Sequence, residues 1–374
     1  MNDNLKIKGF ISKNIVVIIA WTLAIVSAFF VGIDNEYLNY FDVKTLLCLF
    51  STMLVVGAYK DIRIFTIVAN SLIKSLKNTR LLSLALIMIT FFSSMFIAND
   101  MALLTFLPLT ILVFKSCDRE NHIAFTVIMQ NIAANLGGML TPFGNPQSLY
   151  LYNFFNIPTP YFVNIFFLPF ALSLVLILLF SIFQKKETAT VCEIELPKLH
   201  KRKTVLYFFL FVLAILAVFK VVNYLIASVI IFTTILLVDV RAYKKVDYGL
   251  MFTFVAFFIF SGNMARIPAV ENFIKTLLEK SVLLTGVLSC QFFSNVPTAI
   301  TLSKFTTNYA ELLYAVNIGG CGTFVASLAS LISLKEFMKN YKSKTASYAI
   351  KFLSMNYLFL GVLVALGMVM FYVK

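Results

Sequence analysis

The stretch that decides the fold is residues 135–146, Asn-Leu-Gly-Gly-Met-Leu-Thr-Pro-Phe-Gly-Asn-Pro. Its three glycines and two prolines interrupt an apolar run over 123–152, and both residue types break helices. Unwound backbone in lipid leaves amide and carbonyl groups without partners, so it occurs only where it is buried in protein or lines a polar cavity. The stretch therefore predicts a membrane helix broken in the middle to form a site, with Asn145 and Pro146 as the N-cap and first residue of its second half.

Residues 317–327 repeat this pattern in the second half of the chain as Asn-Ile-Gly-Gly-Cys-Gly-Thr-Phe-Val-Ala-Ser. The two stretches share the order Asn, Leu or Ile, Gly, Gly, two other residues and Thr, and their alignment pairs Asn145 with Ser327. We therefore expect a second broken helix, over 312–334, with the same role as the first.

A pair of short apolar runs precedes each broken helix. The runs are 81–97 and 101–114, and then 282–293 and 298–310. A helix needs about 20 residues to cross a bilayer, so each pair predicts a helical hairpin that enters and leaves the membrane on the same side. The predicted tips are Ala98-Asn99-Asp100 and Ser294-Asn295-Val296-Pro297, which align Asn99 with Asn295.

The composition supports a membrane protein. Of the 374 residues, 60% are hydrophobic and only 13% are charged, against about 25% charged in an average soluble domain. This excludes a soluble enzyme, a nucleic-acid-binding protein and a secreted disulfide scaffold. The five cysteines are scattered without a CxxC pair, so neither a disulfide framework nor a zinc site is expected.

The net charge of +14 is explained by the topology. With nine spans, two hairpins and a cytoplasmic N-terminus, 24 of the 31 lysines and arginines fall on cytoplasmic loops, as the positive-inside rule requires. Of the 17 acids, only Asp100 is then expected at membrane depth.

These segments predict an all-α polytopic membrane protein with inverted repeats. The first repeat is 1–183, with scaffold helices over 15–59, the hairpin at 81–114 and the broken helix at 123–152. A connecting loop and helix cover 184–224, and the second repeat is 225–374, with the hairpin at 282–310. Each repeat also has an amphipathic stretch, at 60–78 and at 262–281. Broken helices that meet at the midplane between inverted repeats are typical of secondary transporters.

At these motifs the chain resembles the ion transporter superfamily, which includes arsenite permeases, citrate and dicarboxylate transporters and some sodium/proton antiporters. The resemblance rests on Ala98-Asn-Asp-Met-Ala-Leu-Leu with Pro108, on 135–146 and on Ser294-Asn-Val-Pro. Short bacterial permeases of this group also carry a stretch like 262–268, Gly-Asn-Met-Ala-Arg-Ile-Pro. The resemblance implies an elevator mechanism and a dimer formed through the scaffold. The dicarboxylate branch has Ser-Asn-Thr at both tips, and this chain departs from that pattern, so its Asn-Asp tip is more similar to the arsenite-permease branch.

The candidate site residues follow from these motifs. Asp100 either binds the coupling ion or only caps a helix, Asn99 and Asn295 either bind ions or only cap the tips, and Gly137 and Gly319 are either part of the sites or packing contacts. The expected coupling-ion residues, for Na⁺ or H⁺, are Asn99, Asp100, Asn135, Gly138, Ser294, Asn295, Asn317, Gly320 and Thr323. The expected substrate residues are Asn99, Thr141, Asn145, Asn295 and Ser327.

The sequence thus predicts an ion-coupled secondary transporter of a small anion or oxyanion in a bacterial cytoplasmic membrane. No nucleic-acid partner is expected, and no cofactor other than the coupling ion. The alternatives are a sodium/proton antiporter, a channel and an intramembrane enzyme. An enzyme is disfavoured because the sequence has neither an HExxH nor a GxSxG motif.

Overall fold

The computed structural model describes residues 2–73, 76–189 and 200–373 of the chain. The α-helices in these ranges are α1 (Asn2–Val31), α2 (Val43–Asp61), α3 (Ile64–Ile73), α4 (Thr79–Ile97), α5 (Asn99–Ser116), α6 (Ile123–Gly137), α7 (Pro146–Phe154), α8 (Thr159–Ile182), α9 (Lys201–Val218), α10 (Tyr224–Val238), α11 (Tyr248–Ala265), α12 (Pro268–Lys280), α13 (Val282–Phe293), α14 (Asn295–Leu302), α15 (Tyr309–Ile318), α16 (Leu328–Asn340) and α17 (Thr345–Tyr372).

Eight helical segments of the described residues are long and apolar enough to cross a membrane. They are Asn14–Val31, Val43–Lys60, Thr79–Ile97, Asn99–Ser116, Glu120–Leu140, Thr159–Ile182, Tyr248–Ala265 and Lys342–Tyr372. This confirms the expected class, an all-helical multi-pass membrane protein.

Two helix pairs are joined by single residues with left-handed backbone conformations. Ala98, between α4 and α5, has φ +61°, and Ser294, between α13 and α14, has φ +71°. A positive φ is costly for a residue with a side chain, so its occurrence at both tips marks two tightly constrained turns. The arms α4 and α5 have 19 and 18 residues, so the first pair is longer than the sequence predicted, and its length alone does not exclude a crossing.

The second pair also differs from its expected bounds. Its second arm was expected at 298–310, but α14 starts at Asn295 and ends at Leu302. The helix can start before Pro297 because a proline is tolerated in a first turn. The N–H groups of that turn make no hydrogen bond within the helix, so the N–H that proline lacks is not needed there. The next helix starts at Tyr309, where the Asn308 side chain accepts from the Glu311 amide.

Both glycine-rich stretches interrupt a helix. The first interruption runs from a 3₁₀ turn at Gly138–Leu140 to Asn145, between α6 and α7. The second lies between Ile318 and Ser327. Pro146 is the first residue of α7, but the Asn145 side chain makes no capping hydrogen bond. The second broken helix spans Tyr309–Asn340 in two pieces, which is longer than the expected 312–334.

The helices of the two halves pack in a reciprocal pattern. Helix α1 packs on α11 and α2 packs on α10, while α5 packs on α16 and α14 packs on α7. The first piece of each broken helix contacts the second piece of the other, since α6 contacts α16 and α15 contacts α7. Helix α9, which connects the halves, packs on α2 and α10.

The second amphipathic stretch starts later than expected. Helix α11 continues to Ala265, so Gly262 and Asn263 are buried inside it, and the amphipathic helix is α12. Arg266, which we placed in that stretch, contacts the loop after α1. Its guanidinium donates to Asp34 at 2.6 and 3.1 Å and to the Tyr40 hydroxyl at 3.1 Å.

Replacing Arg266 with alanine should make the protein slightly less stable in a pH-dependent way. The hydrogen bond from Arg266 lowers the pKa of Asp34. A carboxyl group with a lowered folded-state pKa adds stability that is present above its unfolded pKa, near 3.8, and that is lost as the pH falls through the folded-state pKa. The difference in melting temperature between wild type and Arg266→Ala in detergent should therefore be largest near neutral pH and shrink below pH 4. An equal difference at every pH would contradict this role of the ion pair.

Candidate functional site

Each hairpin tip is hydrogen-bonded to the unwound segment of the broken helix that follows it. The Asn99 amide donates to the Gly144 carbonyl at 3.0 Å, and the Asn295 amide donates to the Ala326 carbonyl at 2.9 Å. Gly144 and Ala326 occupy equivalent positions, directly before Asn145 and Ser327. The two contacts therefore have the same geometry in both halves of the chain.

The two aligned threonines strengthen this attachment. Thr141 Oγ1 donates to the Met95 carbonyl at 2.6 Å, and Thr323 Oγ1 donates to the Gln291 carbonyl at 2.9 Å. Met95 and Gln291 each lie four residues before the tip asparagine, in the last turn of the first arm, where helix carbonyls lack intrahelical partners. Each threonine thus fastens its unwound segment to its hairpin.

The asparagines of the broken helices connect the two halves. Asn135 Oδ1 accepts from Asn99 Nδ2 at 3.0 Å and from Ser327 Oγ of the other half at 2.9 Å. Asn317 Oδ1 accepts from Asn145 Nδ2 at 2.9 Å, also across the halves. We call these reciprocal bonds the asparagine cross.

Two further donors complete the cross. Gln147 Nε2 and Ser148 Oγ, in the first turn of α7, donate to Asn317 Oδ1 at 3.2 and 2.9 Å. Gln291 also belongs to this site, since its amide nitrogen donates to the carbonyls of Gly319 and Cys321 at 3.0 and 3.1 Å. The sequence reasoning missed these three residues. The one signal for them is their position, within a turn of the first break for Gln147 and Ser148 and of the second predicted tip for Gln291.

The paired glycines allow close helix packing. A Cβ atom at Gly137 would lie 2.2 Å from the Phe91 carbonyl oxygen, and one at Gly319 would lie 2.9 Å from Cys290 Sγ. A Cβ at Gly138 would lie 2.5 Å from Asn145 Oδ1, and one at Gly320 would lie 3.1 Å from Asn295 Nδ2. The packing alternative therefore accounts for Gly137 and Gly319, whereas Gly138 and Gly320 adjoin the polar side chains of the cross.

The side chains of the two hairpin tips differ in their hydrogen bonds. Asn99 Oδ1 and Asn295 Oδ1 each accept from the next backbone amide at 2.9 Å, so each side chain is bonded to the first turn of its own second arm. Ser294 Oγ makes only long contacts of 3.4 Å, to Asn295 Oδ1 and the Ala326 carbonyl. Asp100 is half-buried, and its Oδ1 is buried without a hydrogen-bond partner. No hydrogen bond joins its carboxylate to the other predicted site residues.

Asp100 is not the only acid that is shielded from water in the described part of the chain. Glu311, which was not expected at membrane depth, is only 5% exposed. Its carboxylate accepts from the Leu283 amide at 2.7 Å, from Asn308 Nδ2 at 2.7 Å and from the Tyr372 hydroxyl. Because all its bonds tie the ends of α13, α15 and α17 together, Glu311 is a structural acid.

Buried oxygen atoms without partners remain in the cross. Asn145 Oδ1 and Gln147 Oε1 are both buried and accept no hydrogen bond. An unpaired buried polar atom costs about 1–3 kcal/mol, and amide oxygens are ligands that replace the water around a small cation. The cross therefore has the chemistry of a cation site.

Comparisons with known proteins identify the family to which the chain belongs. The model of the family described as "Citrate transporter" matches residues 6–319. The chain is 32% identical over 304 residues to "Uncharacterized transporter MJ0456" of Methanocaldococcus jannaschii, covering 80% of this chain and 82% of the relative. It is 28% identical over 300 residues to "Inner membrane protein YbiR" of Escherichia coli, covering 79% and 80%. These matches confirm the resemblance to the ion transporter superfamily: the chain belongs to the citrate transporter family and is a membrane transporter, not an enzyme.

Proposed function

We propose that the protein is an ion-coupled secondary transporter of a small anion or oxyanion, similar to citrate or arsenite. The observation that carries the proposal is the asparagine cross, in which Asn135 of the first break is hydrogen-bonded to Ser327 of the second, and Asn317 of the second to Asn145 of the first. A channel needs no such duplicated interruptions. Inverted repeats with breaks at the midplane are the usual architecture of alternating access.

The reciprocal helix packing supports inverted repeats over 1–183 and 225–374. The contact of α1 with α11 matches the contact of α10 with α2, so α1 corresponds to α10 and α2 to α11. The hairpin and broken helix of one half likewise correspond to those of the other. Two hairpins with two broken helices then form the transport unit, and α1, α2, α10 and α11 form the scaffold. In the elevator mechanism this unit slides against the scaffold, and two protomers associate through the scaffold as a homodimer.

The arrangement of helix ends favours an anionic substrate. Helices α5, α7, α14 and α16 all begin at the tips and breaks, and α5 packs on α16 while α14 packs on α7. Helix N-termini carry partial positive charge and unpaired N–H groups, which attract anions. We assign the substrate to Asn99, Thr141, Asn145, Asn295 and Ser327 at these ends.

The oxygen-rich parts of the site favour a coupling cation. We assign one Na⁺ position to Asn99, Asn135 and Gly138, with Asp100 beside it, and an equivalent one to Ser294, Asn295, Asn317, Gly320 and Thr323. The bias of lysine and arginine supports a cytoplasmic N-terminus, and the relationship to an inner membrane protein supports the bacterial inner membrane.

A sodium/proton antiporter is the second candidate, because Asp100 has a buried carboxylate oxygen without a partner. Such a carboxylate can take up a proton or a cation as its environment changes. Uptake of labelled citrate, arsenite and ²²Na⁺ into proteoliposomes separates the two functions. Anion uptake driven by a cation gradient supports the main proposal, whereas sodium uptake driven by a proton gradient alone supports the antiporter.

Replacing Asp100 with asparagine should abolish the coupling of transport to the cation gradient and flatten its pH dependence. The substitution keeps the size of the side chain but removes its charge and replaces one acceptor oxygen with an NH₂ donor. Uptake should be measured with and without an imposed gradient from pH 5.5 to 8.5. Wild-type coupling and an unchanged pH profile in Asp100→Asn would show that the carboxylate has no part in the mechanism.

A further inference from the structure

We propose that the membrane-facing groove between α3, α4, α5 and α9 binds an acyl chain of an anionic phospholipid. The groove has a volume of about 610 Å³. Its walls include Ile64 and Phe65 of α3, Ile89 and Phe96 of α4, Phe106 of α5 and Phe208 of α9. A membrane protein has lipid available at such a surface, and an acyl chain can enter the groove without leaving an apolar environment.

The chemistry of the walls selects a hydrocarbon chain. Only Ser93, Thr204 and Tyr59 carry hydroxyl groups among the fourteen lining residues, and none is charged. Phe96 and Phe208 are 49% and 55% exposed, so the groove is open on its outer side. A polar or charged solute would lose its hydration here without compensation, which leaves an apolar chain as the fitting occupant.

The charges at one end of the groove select an anionic headgroup. Ile64 and Thr204 line the groove, and they adjoin Arg63 and Arg202–Lys203 in the sequence. The side chains of Arg63 and Arg202 are exposed, and neither forms an ion pair within the described part of the chain. Basic residues near a membrane surface attract anionic lipid by about 1 kcal/mol each.

A lipid bound in this groove would lie against the first hairpin. The groove lies between the first hairpin and helices α2 and α9, because Tyr59 of α2 and Ile97, the last residue of α4, also line it. A bound chain would separate the hairpin tip from its neighbours on that side. The inference goes beyond the proposed function, since lipid binding here requires neither a particular substrate nor a coupling ion.

Fluorescence quenching by brominated lipids tests the proposal. The chain has one tryptophan, Trp21, so Trp21→Phe provides a background for one reporter. In that background Phe208→Trp places the reporter in the groove. Leu237→Trp, on α10 at a site that is 85% exposed, is the matched control that faces bulk lipid.

We expect the groove reporter to be quenched at a lower mole fraction of brominated phosphatidylglycerol than of brominated phosphatidylcholine. The preference should fall about fivefold for each arginine removed in Arg63→Gln and Arg202→Gln. Lys342→Gln with Lys351→Gln, which changes exposed lysines elsewhere, should leave it unchanged. Equal quenching by both lipids at Phe208→Trp, or a preference that survives loss of both arginines, would overturn the proposal.

Discussion

Replacing Asn317 with alanine should abolish transport and lower the free energy of unfolding by about 2 kcal/mol or more. Asn317 Oδ1 accepts hydrogen bonds from Asn145, Gln147 and Ser148, and all four residues are buried. The alanine variant leaves the buried donors of Gln147 and Ser148 without an acceptor, and each costs about 1–3 kcal/mol. Asn145 Nδ2 keeps only its bond to the Asn135 carbonyl at 3.2 Å. Thermal unfolding in detergent and uptake into proteoliposomes measure the two effects.

Two variants control this experiment. Asn317→Asp keeps an oxygen acceptor for all three donors, so it should unfold closer to wild type than Asn317→Ala while changing the charge of the site. Asn164→Ala removes an exposed asparagine on α8 and should stay within about 0.5 kcal/mol of wild type. If Asn317→Ala were as stable as Asn164→Ala, the cross would not hold the two halves together.

Replacing Gly137 with alanine should also be severe, with a loss of about 3 kcal/mol or more. The added Cβ would lie 2.2 Å from the Phe91 carbonyl oxygen and 2.7 Å from Ser94 Oγ. Overpacking usually costs about 1–3 kcal/mol, and here the nearest atom is helix backbone, which moves only with α4. The shift would displace the first tip from the asparagine cross, so transport should fall together with the melting temperature.

Gly361→Ala is the matched control for Gly137→Ala. A Cβ atom at Gly361, inside α17, meets nothing within 4 Å, and alanine is favoured over glycine in a helix by about 1 kcal/mol. This variant should melt at or above the wild-type temperature and should transport normally. Equal melting temperatures for the two alanine variants would contradict the close approach of α6 to α4.

The breaks and tips could be predicted from the sequence because their causes are local. Glycine, proline and asparagine interrupt a helix through their own backbone preferences, so 135–146 and 317–327 indicate the interruptions before any packing is known. The bounds were less exact at the second tip, where the second arm was expected to begin at 298 but α14 begins at Asn295 and contains Pro297 in its first turn.

The partners of the site residues could not be predicted, because they depend on packing between distant segments. Asn145 was assigned to a helix cap, but its side chain instead bonds to Asn317, 172 residues away. Glu311 has a local capping signal in Asn308, yet its burial follows from contacts with α13 and α17. Sequence spacing within one helix contains no information about such contacts.

The most direct test of the central claim is anion uptake into proteoliposomes with imposed cation gradients. We expect that uptake of labelled citrate or arsenite is accelerated by an inward Na⁺ or H⁺ gradient, saturates with anion concentration and disappears in Asn317→Ala. Uptake that does not depend on either gradient, or that persists in Asn317→Ala, would contradict it.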